Sequence, residues 1–201
     1  MFDARFRRGI GPLLEAPART IRRWGVTANQ VTVVGFIVSG AGAFAVAIDR
    51  PFLGLSLWLL SRLLDAIDGV VARQAGIEDG FGGFLDITLD MLAYSLMATA
   101  FALRHPEHQL VWLLILVGYV GCITTTASLS SILEHQRITV LDNDRSLQFT
   151  PGFAEAGETT VVYILLTVAP AWSLWIAWAW AVVLFATTIQ RIVIARRLLR
   201  A

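Results

Sequence analysis

Lysine is absent from these 201 residues, and all 16 basic positions are arginine. Its absence excludes a Walker-type phosphate loop and any lysine Schiff base. Cysteine occurs once, at Cys122 within an apolar run, which excludes internal disulfides and any zinc site built on several thiolates. Charge is sparse: 15% of residues carry it, and the formal net charge is only +1. No nucleic-acid partner is expected. The N-terminal stretch, MFDARFRRGIGPLLEAPARTIRRWG, lacks the uninterrupted apolar core of a cleavable signal peptide. What the chain has in excess is hydrocarbon. Hydrophobic residues make up 56% of it and mean hydropathy is +0.67, too apolar for an ordinary soluble domain.

Six apolar stretches, roughly 31–49, 52–73, 82–104, 109–133, 156–172 and 173–195, approach the about 20 residues needed to cross a bilayer. An all-α membrane protein of six transmembrane helices is expected, with Pro170 breaking the last two apart. Arginines crowd the N-terminal segment (Arg5, Arg7, Arg8, Arg19, Arg22, Arg23) and the C-terminal end (Arg191, Arg196, Arg197, Arg200). By the positive-inside rule both termini, and the 74–81 and 134–155 loops, are expected in the cytoplasm. Trp172, Trp175, Trp178 and Trp180 then form an aromatic belt at the opposite face. Residues 3–24 alternate arginines with Phe6, Ile10, Leu13, Leu14, Ile21 and Trp24, the pattern of an amphipathic helix lying in the interface among membrane lipids. With no repeat or linker to divide it, the chain reads as one domain over 1–201, an interfacial segment 1–30 and a bundle 31–201.

Against that background four carboxylates stand out. Residues 65–90 read DAIDGVVARQAGIEDGFGGFLDITLD, so that Asp65, Asp68, Gly69, Ala72, Arg73, Gly82, Asp86 and Asp90 form the spacing D-x2-D-G-x2-A-R-x8-G-x3-D-x3-D. At 100° per residue, Asp65, Asp68, Gly69 and Ala72 share an arc of roughly 100° on one helix, and Gly82, Asp86 and Asp90 about 80° on the next. A short connection makes the two helices antiparallel neighbours whose polar stripes face each other. Four carboxylates bring about −4 into a partly desolvated place and require compensation. Arg73 is the only basic residue within the motif. Two divalent cations held by oxygen, Mg²⁺ or Mn²⁺, balance the charge, and such a site suits displacement at phosphorus, with Arg73 placed to hold a phosphate.

This spacing resembles the signature of the CDP-alcohol phosphatidyltransferases, membrane enzymes that make phospholipid headgroups. The segment Asn29–Gln30–Val31–Thr32 before the first span is similar to one near the nucleotide in relatives, and Ala154–Glu155–Ala156–Gly157–Glu158–Thr159 to a stretch in a bacterial subgroup. The resemblance implies Asp65, Asp68, Asp86 and Asp90 as metal ligands, with Asp90 also the catalytic proton acceptor. It implies Asn29, Thr32, Asp65, Gly69, Ala72, Arg73 and Gly82 as the CDP-alcohol site. Asp79, where some relatives place a small or hydroxyl residue, is a departure. The implied reaction transfers a substituted phosphate group from a CDP-alcohol lipid donor to a small alcohol acceptor, releasing CMP, at the cytoplasmic side of an inner (plasma) membrane. A homodimer is implied too.

Acceptor candidates are Arg137, Arg145, Glu155, Glu158 and Arg191; the plain alternative is that Glu158 and Arg191 neutralise each other as a buried pair. Intramembrane aspartates also mark ion-coupled transporters, which remains the competing class. His105 and His108 read as exposed loop residues, and Cys122 as inert packing.

Overall fold

The computed structural model describes residues 2–76, 80–136 and 152–199, with 2–12 given by backbone alone. Every element among the described residues is helical: α1 (Phe2–Arg23), α2 (Ala28–Ala47), α3 (Pro51–Ala75), α4 (Gly80–Arg104), α5 (Gln109–His135), α6 (Ala156–Val168) and α7 (Ser173–Leu198). Single 3-10 turns at Pro106–His108 and Pro170–Trp172 precede α5 and α7. The chain divides into two compact units, Met1–His105 and Pro106–Ala201.

Local chemistry sets the helix ends. Thr27 caps α2: its hydroxyl accepts from the Gln30 amide while the Gln30 side-chain oxygen accepts from the Thr27 amide. Pro51 opens α3, where a missing N–H costs nothing, and Gly76 closes it in the left-handed region at φ 65°. Asp49 holds φ 62° in the α2–α3 turn, and its carboxylate accepts a 2.9 Å hydrogen bond from Arg104 at the end of α4.

In the first unit α2 is the common partner, packing on both α3 and α4. Gly42 and Gly54 permit the approach of α2 to α3. A Cβ on Gly54 would meet Val46 Cγ2 at 2.4 Å and the Gly42 carbonyl oxygen at 2.7 Å. Helix α1 lies along α3, with Leu14 and Ala18 buried among Val31, Ile67, Val70 and Val71. Arg22 donates to the Gln74 carbonyl, and the Gln74 side-chain amide donates to the Glu15 carbonyl at 3.2 Å. Leu13 and Trp24 stay exposed, so the helix is two-sided as an interfacial element requires.

In the second unit α5 and α7 cross where Gly118 and Gly121 face Leu184 and Thr188; added Cβ atoms would lie 2.7 and 2.8 Å from those side chains. The Tyr119 hydroxyl sits 2.9 Å from that of Tyr163 and accepts a 3.0 Å hydrogen bond from Trp180, joining α5, α6 and α7. Trp180 therefore departs from the expected belt. Trp172 and Trp175 are well exposed, whereas Trp180 is buried because it falls on the inward stripe Ala177–Trp180–Ala181–Leu184–Thr187–Arg191 of α7.

Helices stand at all six expected apolar stretches. Among the described residues, four segments are long and apolar enough to cross a membrane: Ala28–Ala47, Gly80–Arg104, Pro106–His135 and Pro170–Leu198. Helix α3 has the length, 25 residues, but carries Arg62, Asp65, Asp68 and Arg73 from its midpoint onward to its C-terminal end. Helix α6 has 13 residues, or about 20 Å of rise, because it stops before Pro170.

Candidate active site

The second half of α3 and the first half of α4 bring three carboxylates together. Asp65, Asp68 and Asp86 each offer a ligand oxygen within 4.8 Å of the others, with Asp68 buried and the other two half-buried. Closely grouped hard oxygens in a partly dry place are the donor set of Mg²⁺ or Mn²⁺, so these residues fit the expected metal. Thr32, one turn into α2, donates a 2.7 Å hydrogen bond to Asp68 Oδ2, which orients that carboxylate from a third helix.

Asp90 lies one turn beyond Asp86 and takes another partner. Its Oδ1 accepts from Arg62 Nη1 at 2.5 Å and its Oδ2 accepts from the Tyr94 hydroxyl at 3.2 Å. The Arg62 guanidinium carbon lies 4.6 Å from the Trp58 ring centroid and 5.4 Å from that of Tyr94. Trp58 and Tyr94 are themselves buried and tilted against each other at 5.6 Å. Arg62 is missing from the residues singled out in the sequence because it lies just upstream of the motif. The signal was available: Arg62 precedes Asp65 by three positions, one helical face.

Of the residues expected at the nucleotide, Thr32 and Asp65 line a small pocket with Gly35, Ser61, Arg62, Asp68 and Asp90. Gly69 leaves room for Arg73, whose Nη1 would lie 3.4 Å from a Cβ at that position; Arg73 itself is exposed at the end of α3. Ala72 and Gly82 are half-buried near the facing ends of α3 and α4, and Asn29 is half-buried in the first turn of α2. Asp79, Arg137 and Arg145 lie outside the described residues.

The second unit, by itself, gathers the remaining acceptor candidates. Arg191 is 6% exposed; its Nη1 donates to the Cys122 carbonyl at 2.8 Å, and its buried Nε has no hydrogen-bond partner. Glu158, in the first turn of α6, also keeps one buried oxygen without a partner, and Glu155 stands at that helix's N-cap. Arg191 and Glu158 form no ion pair with each other, so mutual neutralisation does not explain them. The segment entering α6 is tied to α7 beside Arg191. The Ala154 amide donates to the Thr187 hydroxyl at 3.1 Å, and a Cβ on Gly152 would meet Thr187 at 2.6 Å and Arg191 Nη2 at 3.2 Å. Cys122 is buried and free.

Comparison with known proteins gives these residues a context. Residues 25–185 match the CDP-alcohol phosphatidyltransferase family. The chain is 33% identical over 179 residues to the inner membrane protein YnjF of Escherichia coli, covering 86% of this chain and 84% of that one. It is 30% identical over 115 residues to the archaetidylinositol phosphate synthase of Pyrococcus horikoshii, covering 57% and 61%. The fold is similar to that of Mycobacterium tuberculosis phosphatidylinositol phosphate synthase with CDP-DAG bound, at a TM-score of 0.70 and 24% identity over 92% of this chain and 94% of that one. The complex of the same synthase with manganese and citrate gives a TM-score of 0.68 at 24% identity, over 90% and 88%. An all-helical chain with several bilayer-length apolar helices and membrane-protein relatives is a multi-pass membrane protein. With a family match that takes in both units and the whole aspartate motif, the chain belongs to the CDP-alcohol phosphatidyltransferases, a family of enzymes.

Proposed function

We propose that this enzyme transfers a substituted phosphate group from a CDP-alcohol lipid, such as CDP-diacylglycerol, to the hydroxyl of a small alcohol and releases CMP. The observation that carries the reading is the convergence of Asp65, Asp68 and Asp86 to within 4.8 Å, inside a motif that the family match covers. A synthase of similar fold has been captured both with CDP-DAG and with manganese, which supports the donor and the metal.

Each residue then has a task. Asp65, Asp68 and Asp86 hold Mg²⁺ or Mn²⁺, and Thr32 fixes Asp68. Bound divalent cations supply charge stabilisation to the diphosphate oxygens during displacement at phosphorus. Arg73, exposed at the end of α3 with Gly69 leaving it space, holds a phosphate of the donor; Asn29, Ala72 and Gly82 complete the CDP site. Asp90 accepts the proton of the incoming hydroxyl, whose oxygen forms the new bond to phosphorus as the bond to CMP breaks. Arg191, Glu155 and Glu158 contact the acceptor; the unpartnered Nε of Arg191 and buried oxygen of Glu158 support that role, since a ligand satisfies them.

The six crossings of the inner membrane are α2, α3, α4, α5, α6 together with the turn at Pro170–Trp172, and α7; both termini and the acidic ends of α3 and α4 face the cytoplasm, α1 lies in the interface, and the enzyme is a homodimer. Arginine distribution supports the orientation, and the two-sided burial of α1 supports its placement. The single family match spanning 25–185 supports reading both compact units as one catalytic domain. The test is CMP release from CDP-diacylglycerol with a panel of alcohols in detergent, with and without a chelator. Metal-dependent release with at least one alcohol is expected, and none with any alcohol contradicts the reading. An ion-coupled transporter would release no CMP and would need a sealed membrane.

A further inference from the structure

The four aspartates of the motif do not form one set. Asp65, Asp68 and Asp86 gather, while both oxygens of Asp90 are engaged elsewhere, by Arg62 at 2.5 Å and by Tyr94 at 3.2 Å. Arg62 is held on several sides at once. It lies over the faces of Trp58 and Tyr94, and its Nε approaches the Ser61 hydroxyl at 3.4 Å. Trp58, Arg62 and Asp65 stand at i, i+4 and i+7 on α3, while Asp90 and Tyr94 stand at i and i+4 on α4. The arginine is thus built into the seam by two aromatic side chains that are 0% and 3% exposed. A guanidinium stacked on aromatic faces and paired with a carboxylate is a fixed cation beside Asp90.

We propose that Arg62 is a positioning residue that holds Asp90 out of the metal-ligand set in the substrate-free protein, so that metal binds first to Asp65, Asp68 and Asp86 alone. This rests on the metal-dependent reading above and deepens it: it assigns the fourth carboxylate of this chain to an internal counter-ion. The formal charge of the seam is −3 rather than −4, because the Arg62 guanidinium pairs with one of the four aspartates. Asp90 is left oriented by two donors and kept for the hydroxyl.

Manganese binding to the full-length, detergent-solubilised protein, followed by electron paramagnetic resonance, tests this without turnover. Asp65→Asn is expected to weaken binding by about tenfold or more, and Asp90→Asn by less than about threefold. Arg62→Met frees Asp90 and is expected to tighten binding about fivefold or add a second ion, and that gain is expected to vanish in the Arg62→Met/Asp90→Asn double variant. A gain that survives undiminished in the double variant makes Arg62 a mere repelling charge and overturns the proposal. So does equal loss in Asp90→Asn and Asp65→Asn, a comparison that needs no Arg62 variant to fold. A wild-type protein that binds no manganese overturns the proposal together with the metal site. The expected binding pattern without CMP release from any CDP-alcohol would instead uphold Arg62's role while removing the proposed reaction.

Discussion

Thr32 reaches from α2 to place its hydroxyl 2.7 Å from Asp68 Oδ2, so the carboxylate cluster on α3 and α4 is oriented by a helix that contributes none of its three carboxylates. The same hydroxyl lies 3.1 Å from the Ala28 carbonyl of its own helix, which fixes its rotamer. Thr32→Val keeps the volume and removes the donor. It is expected to raise the manganese concentration for half-maximal CMP release by roughly ten- to hundredfold, the worth of one hydrogen bond to a charged group. Thr32→Ser is expected to stay near wild type, and equal losses in both variants would show that shape rather than hydrogen bonding matters.

Asp90→Asn preserves the side-chain shape beside Arg62 and Tyr94 but removes the proposed proton acceptor. CMP release is expected to fall by roughly 10²–10⁴-fold with donor KM little changed. Steady-state kinetics in mixed micelles checks this, and full activity in the variant would exclude Asp90 as the base.

Arg191 supplies a prediction about the acceptor. Its burial at 6% exposure and its unpartnered Nε leave a donor open, which suits the proposed acceptor contact. Arg191→Met is expected to raise the acceptor KM by about tenfold or more while leaving manganese affinity unchanged. A fall in thermal stability with acceptor KM intact would assign Arg191 to the packing of α5 against α7.

The glycines separate packing from function. Gly54→Ala puts a Cβ 2.4 Å from Val46 and 2.7 Å from the Gly42 backbone, and the α2–α3 contact must open. A loss of about 1–3 kcal/mol is expected, read as a lower midpoint of thermal unfolding in detergent. Gly40→Ala, with nothing within 4 Å of the added methyl, is expected to leave that midpoint at or slightly above wild type.

The helices were legible in the sequence because long apolar runs interrupted by Pro51, Pro106 and Pro170 admit few other structures. The aspartate motif was legible because its spacing repeats the helical period on two successive segments. Three features were not. Arg62 lies outside the motif, whereas the helical face that carries the motif continues one turn upstream to Arg62 and two turns to Trp58. Trp180 stands beside exposed tryptophans in sequence, although it shares the spacing of the buried residues of α7 rather than that of Trp175 and Trp178. The asymmetry of the four aspartates was hidden, because composition gives their number and spacing their faces, but neither shows which one a neighbouring cation claims.

Anomalous diffraction from crystals grown with manganese tests the central claim most directly. A manganese peak bounded by Asp65, Asp68 and Asp86 is expected, with Asp90 still paired to Arg62 when no nucleotide is bound. No peak at those three carboxylates would contradict that claim.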